Sequence, residues 1–118
     1  MTSLNQSKLL IVDDDANHRT MLHALLTEWG AKADEAGSGA EAVDMTKEWP
    51  YDLVLMDVQM AGMTGIEALR VIKAYNPAIP ILIMTAYSNV ENAVEAIKAG
   101  AYDYLPKPLE FDEFRLTL

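Results

Sequence analysis

Three short apolar runs, at 9–12, 53–56 and 81–84, set in a repeating alternation of strand-like and helix-spaced stretches, constrain this chain more than any other feature of its sequence. The central one is Leu53, Val54, Leu55 and Met56, which leads straight into a single carboxylate, Asp57. A continuous apolar run of that length suits a strand buried on both faces, as in a parallel sheet. A first strand is expected over 8–13, where Leu9, Leu10, Ile11 and Val12 run into Asp13, Asp14 and Asp15. A weaker strand falls at 32–36, and the third at 53–57. The fourth, at 81–85, is fully apolar up to Thr85, and the last, at 101–105, precedes Pro106, Lys107 and Pro108.

The segments between them carry helical spacing. Met21, Leu22, Leu25, Leu26 and Trp29 recur on one stripe, and Gly30 stops the helix. Ser38 and Glu41 have capping-box spacing and open a helix that runs to about Trp49. A helix over 64–75 places Ile66, Leu69, Ile72 and Tyr75 on one face. Another, over 89–99, turns Val90, Ala93, Val94 and Ile97 inward and stops at Gly100. Phe111, Phe114 and Leu118 begin a final helix of little more than two turns, marginal unless packed. The chain is therefore expected to be one domain over 1–118, a fragment of a longer protein cut within or near that helix. Strand–helix alternation predicts an α/β fold with helices on both faces of a parallel sheet. Right-handed crossovers leave few topologies. The expected one is the (βα)5, flavodoxin-like, doubly wound sheet of order 2-1-3-4-5, with its site between the first and third strands.

The formal net charge of −9 argues against nucleic-acid binding by this chain, since phosphate neutralisation needs a basic patch. It fits a partner that is a cation or a basic surface. No apolar run approaches the ~18–20 residues a membrane span needs, and no secretory signal pattern is present. The absence of cysteine excludes disulfides and thiolate metal sites and is compatible with a cytoplasmic setting.

In a parallel sheet the strand ends that carry Asp13, Asp14, Asp57, Thr85 and Lys107 lie at one edge. Carboxylates crowded there repel one another unless a cation neutralises them. Oxygen donors without nearby His or Cys point to a hard cation, with Mg²⁺ preferred because it keeps waters and works with phosphates. A carboxylate nucleophile, a metal, an ammonium and a hydroxyl are the parts that phosphoryl transfer requires.

The pieces Ile11-Val12-Asp13-Asp14, Leu55-Met56-Asp57, Met84-Thr85-Ala86 and Lys107-Pro108, in this order, resemble the receiver (phosphoacceptor) domain of two-component response regulators. Met84-Thr85-Ala86-Tyr87 and Gly100-Ala101-Tyr102-Asp103-Tyr104 are most similar to receivers of sigma-54-dependent transcription activators. The resemblance implies that Asp57 takes a phosphoryl group from the phosphohistidine of a sensor histidine kinase. It implies that Asp14 and Asp57 ligate Mg²⁺, that Asp13 binds it through water, and that the backbone carbonyl of Gln59 completes the protein ligands. Thr85 then donates to a phosphoryl oxygen, Lys107 pairs with another, and the Lys107-Pro108 bond is cis. Thr85 and Tyr104 are the implied switch residues, acting on the face of the fourth helix, fifth strand and fifth helix. That face implies a phosphorylation-promoted homodimer and control of an output domain governing transcription. Such a chain is a switch that catalyses its own phosphorylation and dephosphorylation, not an enzyme with a separate substrate.

The sequence departs from the family at Ala61, where receivers usually carry proline, and at Thr64, often aspartate. Gln59 and Tyr87 stand at the two positions that tune aspartyl-phosphate lifetime, and the bulk of Tyr87 implies slow hydrolysis. Each piece also has a plainer reading. Asp13, Asp14 and Asp15 can be a turn and helix cap, Thr85 a strand-end hydroxyl, Lys107 a solvated lysine, and Tyr104 core. His18 and His23, five apart, miss the i, i+4 spacing of paired helical ligands, which argues against a metal role. Trp29 and Trp49 read as helix-end packing. Two other classes stay open. One is a phosphohydrolase of the haloacid dehalogenase type, which needs a second acid where this chain has Gln59. The other is a ligand-binding or phosphorylation-independent docking module on the same fold.

Overall fold

The computed structural model describes residues 7–58, 60, 62–85 and 90–106, with side chains at 90–93 and 106 outside that description. Strands and helices alternate: β1 (Lys8–Val12), α1 (Ala16–Glu28), β2 (Lys32–Ala36), α2 (Gly39–Glu48), β3 (Leu53–Asp57), α3 (Gly65–Tyr75), β4 (Ile81–Thr85), α4 (Val90–Lys98) and β5 (Asp103–Pro106). All pairings are parallel and the strand order is β2-β1-β3-β4-β5, the expected doubly wound sheet. The final helix expected from Phe111, Phe114 and Leu118 lies outside the described residues.

Alternate residues of each central strand serve opposite faces. Leu10, Val12, Val54, Met56, Ile81 and Ile83 pack in one layer with Ala42 and Val43 of α2, Ile66, Leu69 and Ile72 of α3, and Ala96 of α4. Leu9, Ile11, Leu55, Leu82 and Met84 pack in the other with Leu22 and Leu26 of α1. A fully buried leucine or isoleucine contributes about 1.5–3 kcal/mol of transfer free energy, so these two layers hold the strand ends in place.

Asp15 caps α1, its side chain accepting from the N–H groups of Asn17 and His18. Ser38 Oγ accepts from Glu41 N at 3.1 Å at the start of α2. The full reciprocal capping box forms at α3, between Thr64 and Glu67. Gly30 and Gly100 leave their helices at φ 94° and 109°, where a side chain would be strained.

Three expectations need correction. In α4, Val94 and Ile97 point outward, 44 % and 50 % exposed, while Ala96 is the fully buried contact. The small alanine faces the sheet, and the branched side chains are left on the surface. β5 begins at Asp103 rather than 101, because Ala101 N–H closes the end of α4 on Ala96 O (3.0 Å) before the chain enters the sheet. Trp49 is 54 % exposed rather than packed, with Lys8 Nζ lying 5.2 Å from its ring centre. Tyr75 is also partly exposed, but its hydroxyl bonds Thr46 Oγ1 and Val43 O, tying α3 to α2.

Among the described residues, no helix is long and apolar enough to cross a membrane.

Candidate functional site

The strand register brings the candidate residues to one edge. Val12 pairs with Met56, and Asp57 with Met84. Asp13, one residue past β1, Asp57 at the end of β3, and Thr85 at the end of β4 therefore share the carboxyl edge of three adjacent strands. Asp13 N–H donates to Ala36 O (3.2 Å) and Val58 N–H to Met84 O (3.0 Å), so the chain stays pinned to the sheet where it turns away.

One carboxylate oxygen from each of Asp13, Asp14 and Asp57 lies within 4.8 Å of the other two. Asp13 is 0 % and Asp57 4 % exposed, while Asp14 faces solvent. Burial and mutual repulsion both disfavour this concentration of negative charge, so an added cation is favoured here. Three hard oxygen donors, one open to solvent, suit a divalent ion that retains waters. These three residues could hold it. Thr85 is fully buried beside them in the sheet order. Tyr104 is half-buried and packs against the larger core layer. Lys107 and Gln59, as well as Ala61 and Tyr87, lie outside the described residues.

The connection after β3 is built on a close backbone approach. Gly65 N–H donates to Val58 O at 3.0 Å. A Cβ on Gly65 would lie 2.2 Å from Asp57 O, so the first turn of α3 sits directly on the backbone of Asp57.

Two residues of α1 reach the site without having been singled out from the sequence as part of it. Asp13 Oδ1 accepts Asp15 N–H at 2.9 Å, and Asp13 Oδ2 meets His18 Nδ1. Arg19 Nη1 donates to Asp13 O at 2.5 Å and its Nε to Glu35 Oε1 at 3.3 Å. His23 Nδ1 meets the other Glu35 oxygen at 2.8 Å. The signal was the spacing from the cap. His18 is the third residue of α1, and helical side chains lean toward the N-terminus, here toward Asp13. The spacing of His18 to His23 alone does not reveal it.

Residues 9–118 match the family described as the response regulator receiver domain. The chain belongs to that family. The receiver is 55 % identical over 113 residues to the transcriptional regulatory protein ZraR of Klebsiella oxytoca, covering 96 % of this chain and 26 % of that protein. It is 43 % identical over 103 residues to the DNA-binding transcriptional regulator NtrC of Klebsiella pneumoniae, covering 87 % and 22 %. It thus spans about a quarter of the length of these relatives, and the likeness to sigma-54-activator receivers is borne out. Among solved structures it superposes on the beryllofluoride-activated NtrC4 receiver domain dimer, with TM-score 0.88, 34 % identity, and 93 % and 91 % of the two chains covered. It also superposes on the receiver domain in the Saccharomyces cerevisiae complex of the histidine phosphotransfer protein Ypd1 with Ssk1, with TM-score 0.89, 25 % identity, and 97 % and 87 % covered.

The receiver is a phosphorylation-based switch rather than an enzyme with its own turnover substrate. The phosphohydrolase reading falls with that assignment.

Proposed function

We propose that Asp57 is the phosphoacceptor. The observation that carries this is an aspartate, 4 % exposed, at the end of the central strand, with a carboxylate oxygen within 4.8 Å of one from Asp13 and one from Asp14. A carboxylate oxygen of Asp57 attacks the phosphorus of a kinase phosphohistidine. The P–O bond forms, the P–N bond breaks, and the imidazole leaves with the electron pair. Asp14, Asp57 and the Gln59 carbonyl would hold Mg²⁺, with Asp13 contributing through a water. When bound, Mg²⁺ supplies the charge neutralisation that lets a phosphoryl group approach these acids. Thr85 donates its hydroxyl to one phosphoryl oxygen and Lys107 pairs with another.

The new dianion then biases the face formed by α4 and β5, with Thr85 and Tyr104 as the moving parts. Val94, Ile97 and Tyr102, at 44 %, 50 % and 65 % exposure, give that face an apolar surface suited to self-association. The histidine phosphotransfer complex and the activated receiver dimer among similar structures support a phosphodonor partner and a homodimer. The relatives' greater length and their names as transcriptional regulators support an output region controlling transcription, joined to this domain in a longer regulator, and we place that regulator in the cytoplasm.

Intact mass after incubation with acetyl phosphate tests the chemistry. Wild type with Mg²⁺ is expected to gain one phosphoryl adduct, and wild type in EDTA or Asp57→Ala none. An adduct that persists in Asp57→Ala, or none on folded wild type with Mg²⁺, overturns the proposal.

A further inference from the structure

The acidic site has a partner outside the strand ends. The first turn of α1 grips Asp13 at both carboxylate oxygens and at its own carbonyl, through Asp15 N–H, His18 Nδ1 and Arg19 Nη1. Asp13 is wholly buried and the His18 side chain is only 17 % exposed, so this contact is enclosed rather than a surface encounter. A carboxylate pinned at one oxygen can still rotate about its Cβ–Cγ bond. Pinned at both, it cannot, and its remaining lone pairs keep a fixed direction. Cation sites need ligands held to about half an ångström. Ligating carboxylates are themselves hydrogen-bonded, and removing such a partner typically weakens metal binding about 10–100-fold.

We propose that His18 is a positioning residue for the divalent-cation site, its Nδ1–H donating to Asp13 Oδ2 and fixing the carboxylate in its cation-binding orientation. This rests on the reading that Asp14 and Asp57 hold Mg²⁺, with Asp13 acting on it through water. His18 touches neither the cation nor the phosphoryl group; it acts through Asp13. The contact depends on a donor at the δ position of the side chain. Asparagine places an amide N–H near that point, whereas leucine fills similar space and has no donor.

The test is a Mg²⁺ titration of the unphosphorylated chain followed by ¹H–¹⁵N NMR, on wild type, His18→Leu and His18→Asn, with thermal melts in EDTA to match their folding. His18→Leu is expected to raise the Kd about tenfold, and His18→Asn to restore most of the affinity. A leucine variant within about twofold of wild type, or an asparagine variant as weak as leucine, overturns the proposal. The wild-type ring gives a second reading that needs no variant: long-range ¹H–¹⁵N spectra are expected to show the proton on Nδ1, and an unprotonated Nδ1 overturns it. Wild type that binds no Mg²⁺ removes the underlying reading as well. Wild type that binds, with unaltered variants, removes only the role of His18.

Discussion

Adding a single methyl group at Gly65 is expected to damage the receiver out of proportion to its size. The new Cβ would lie 2.2 Å from Asp57 O, and 2.9 Å from both Asp57 C and Val58 Cα, where ordinary contact begins at 3.4 Å. The overlap exceeds an ångström, and every atom it meets is backbone, so no side chain can swing aside. Either α3 backs away from the sheet, breaking the Gly65 N–Val58 O bond of 3.0 Å, or the end of β3 moves and carries Asp57 with it. Overpacking of this kind costs about 1–3 kcal/mol, and the immobile neighbours place Gly65→Ala near the top of that range. Replacing a helical glycine by alanine returns at most about 1 kcal/mol. The net loss is about 2 kcal/mol, a fall in Tm of roughly 6–12 °C for a domain of this size. Gly62→Ala is the control. Gly62 sits at φ 76°, and a methyl added there would meet nothing within 4 Å, so it carries only the backbone strain, about 1 kcal/mol. Thermal and urea melts by circular dichroism measure both, and acetyl phosphate labelling reports whether Asp57 has moved. A Gly65→Ala variant that melts with wild type, or loses less than Gly62→Ala, refutes the reasoning.

Mg²⁺ at ten times its Kd is expected to stabilise the receiver by about 1.4 kcal/mol. Asp14→Asn should forfeit most of that gain yet melt above wild type in EDTA, since one of three repelling carboxylates is gone; a variant that melts lower in EDTA would speak against repulsion. At the other end of the sheet, burial, followed by the 2.7 Å bond to Asp34 Oδ2, pushes the Tyr51 phenol above its ordinary range. The folded chain then keeps a proton that the unfolded chain releases near pH ~10. The stability this provides is complete below that pH and is lost as pH climbs beyond it. Tyr51→Phe should show a flatter decline in Tm above pH ~10, and parallel declines would count against the assignment. Val94→Glu combined with Ile97→Glu should leave the Tm nearly unchanged, because both side chains are about half exposed, while preventing dimerisation by beryllofluoride-loaded protein in sedimentation. A large loss of stability would mean that these residues are core after all.

What could be read from the sequence, and what could not, divides along a physical line. β1, β3 and β4 are legible because a strand buried on both faces must be apolar throughout, and the first polar residue marks where it leaves the core. Asp13, Asp57 and Thr85 are those first polar residues, so the same signal that ends each strand also names the site. Helix faces are less legible, because spacing shows that apolar residues share a side but not which side meets the sheet. In α4 the buried contact is Ala96, a residue that adds little to any apolar pattern, while the conspicuous Val94 and Ile97 face out. Contacts between elements are least legible. The approach of Gly65 to Asp57 and the bond from His18 to Asp13 each join a helix start to a strand end, and local spacing carries only a hint of them. These unread features lie at the functional parts of the domain. A fold of apolar strands and capped helices needs neither an exposed branched pair on α4 nor an imidazole on a buried acid. Apolar side chains left half exposed side by side gain further burial when a partner covers them. The departures from the simplest pattern therefore fall at the two places where the receiver is proposed to act: the acid cluster around Asp57 and the α4–β5 face.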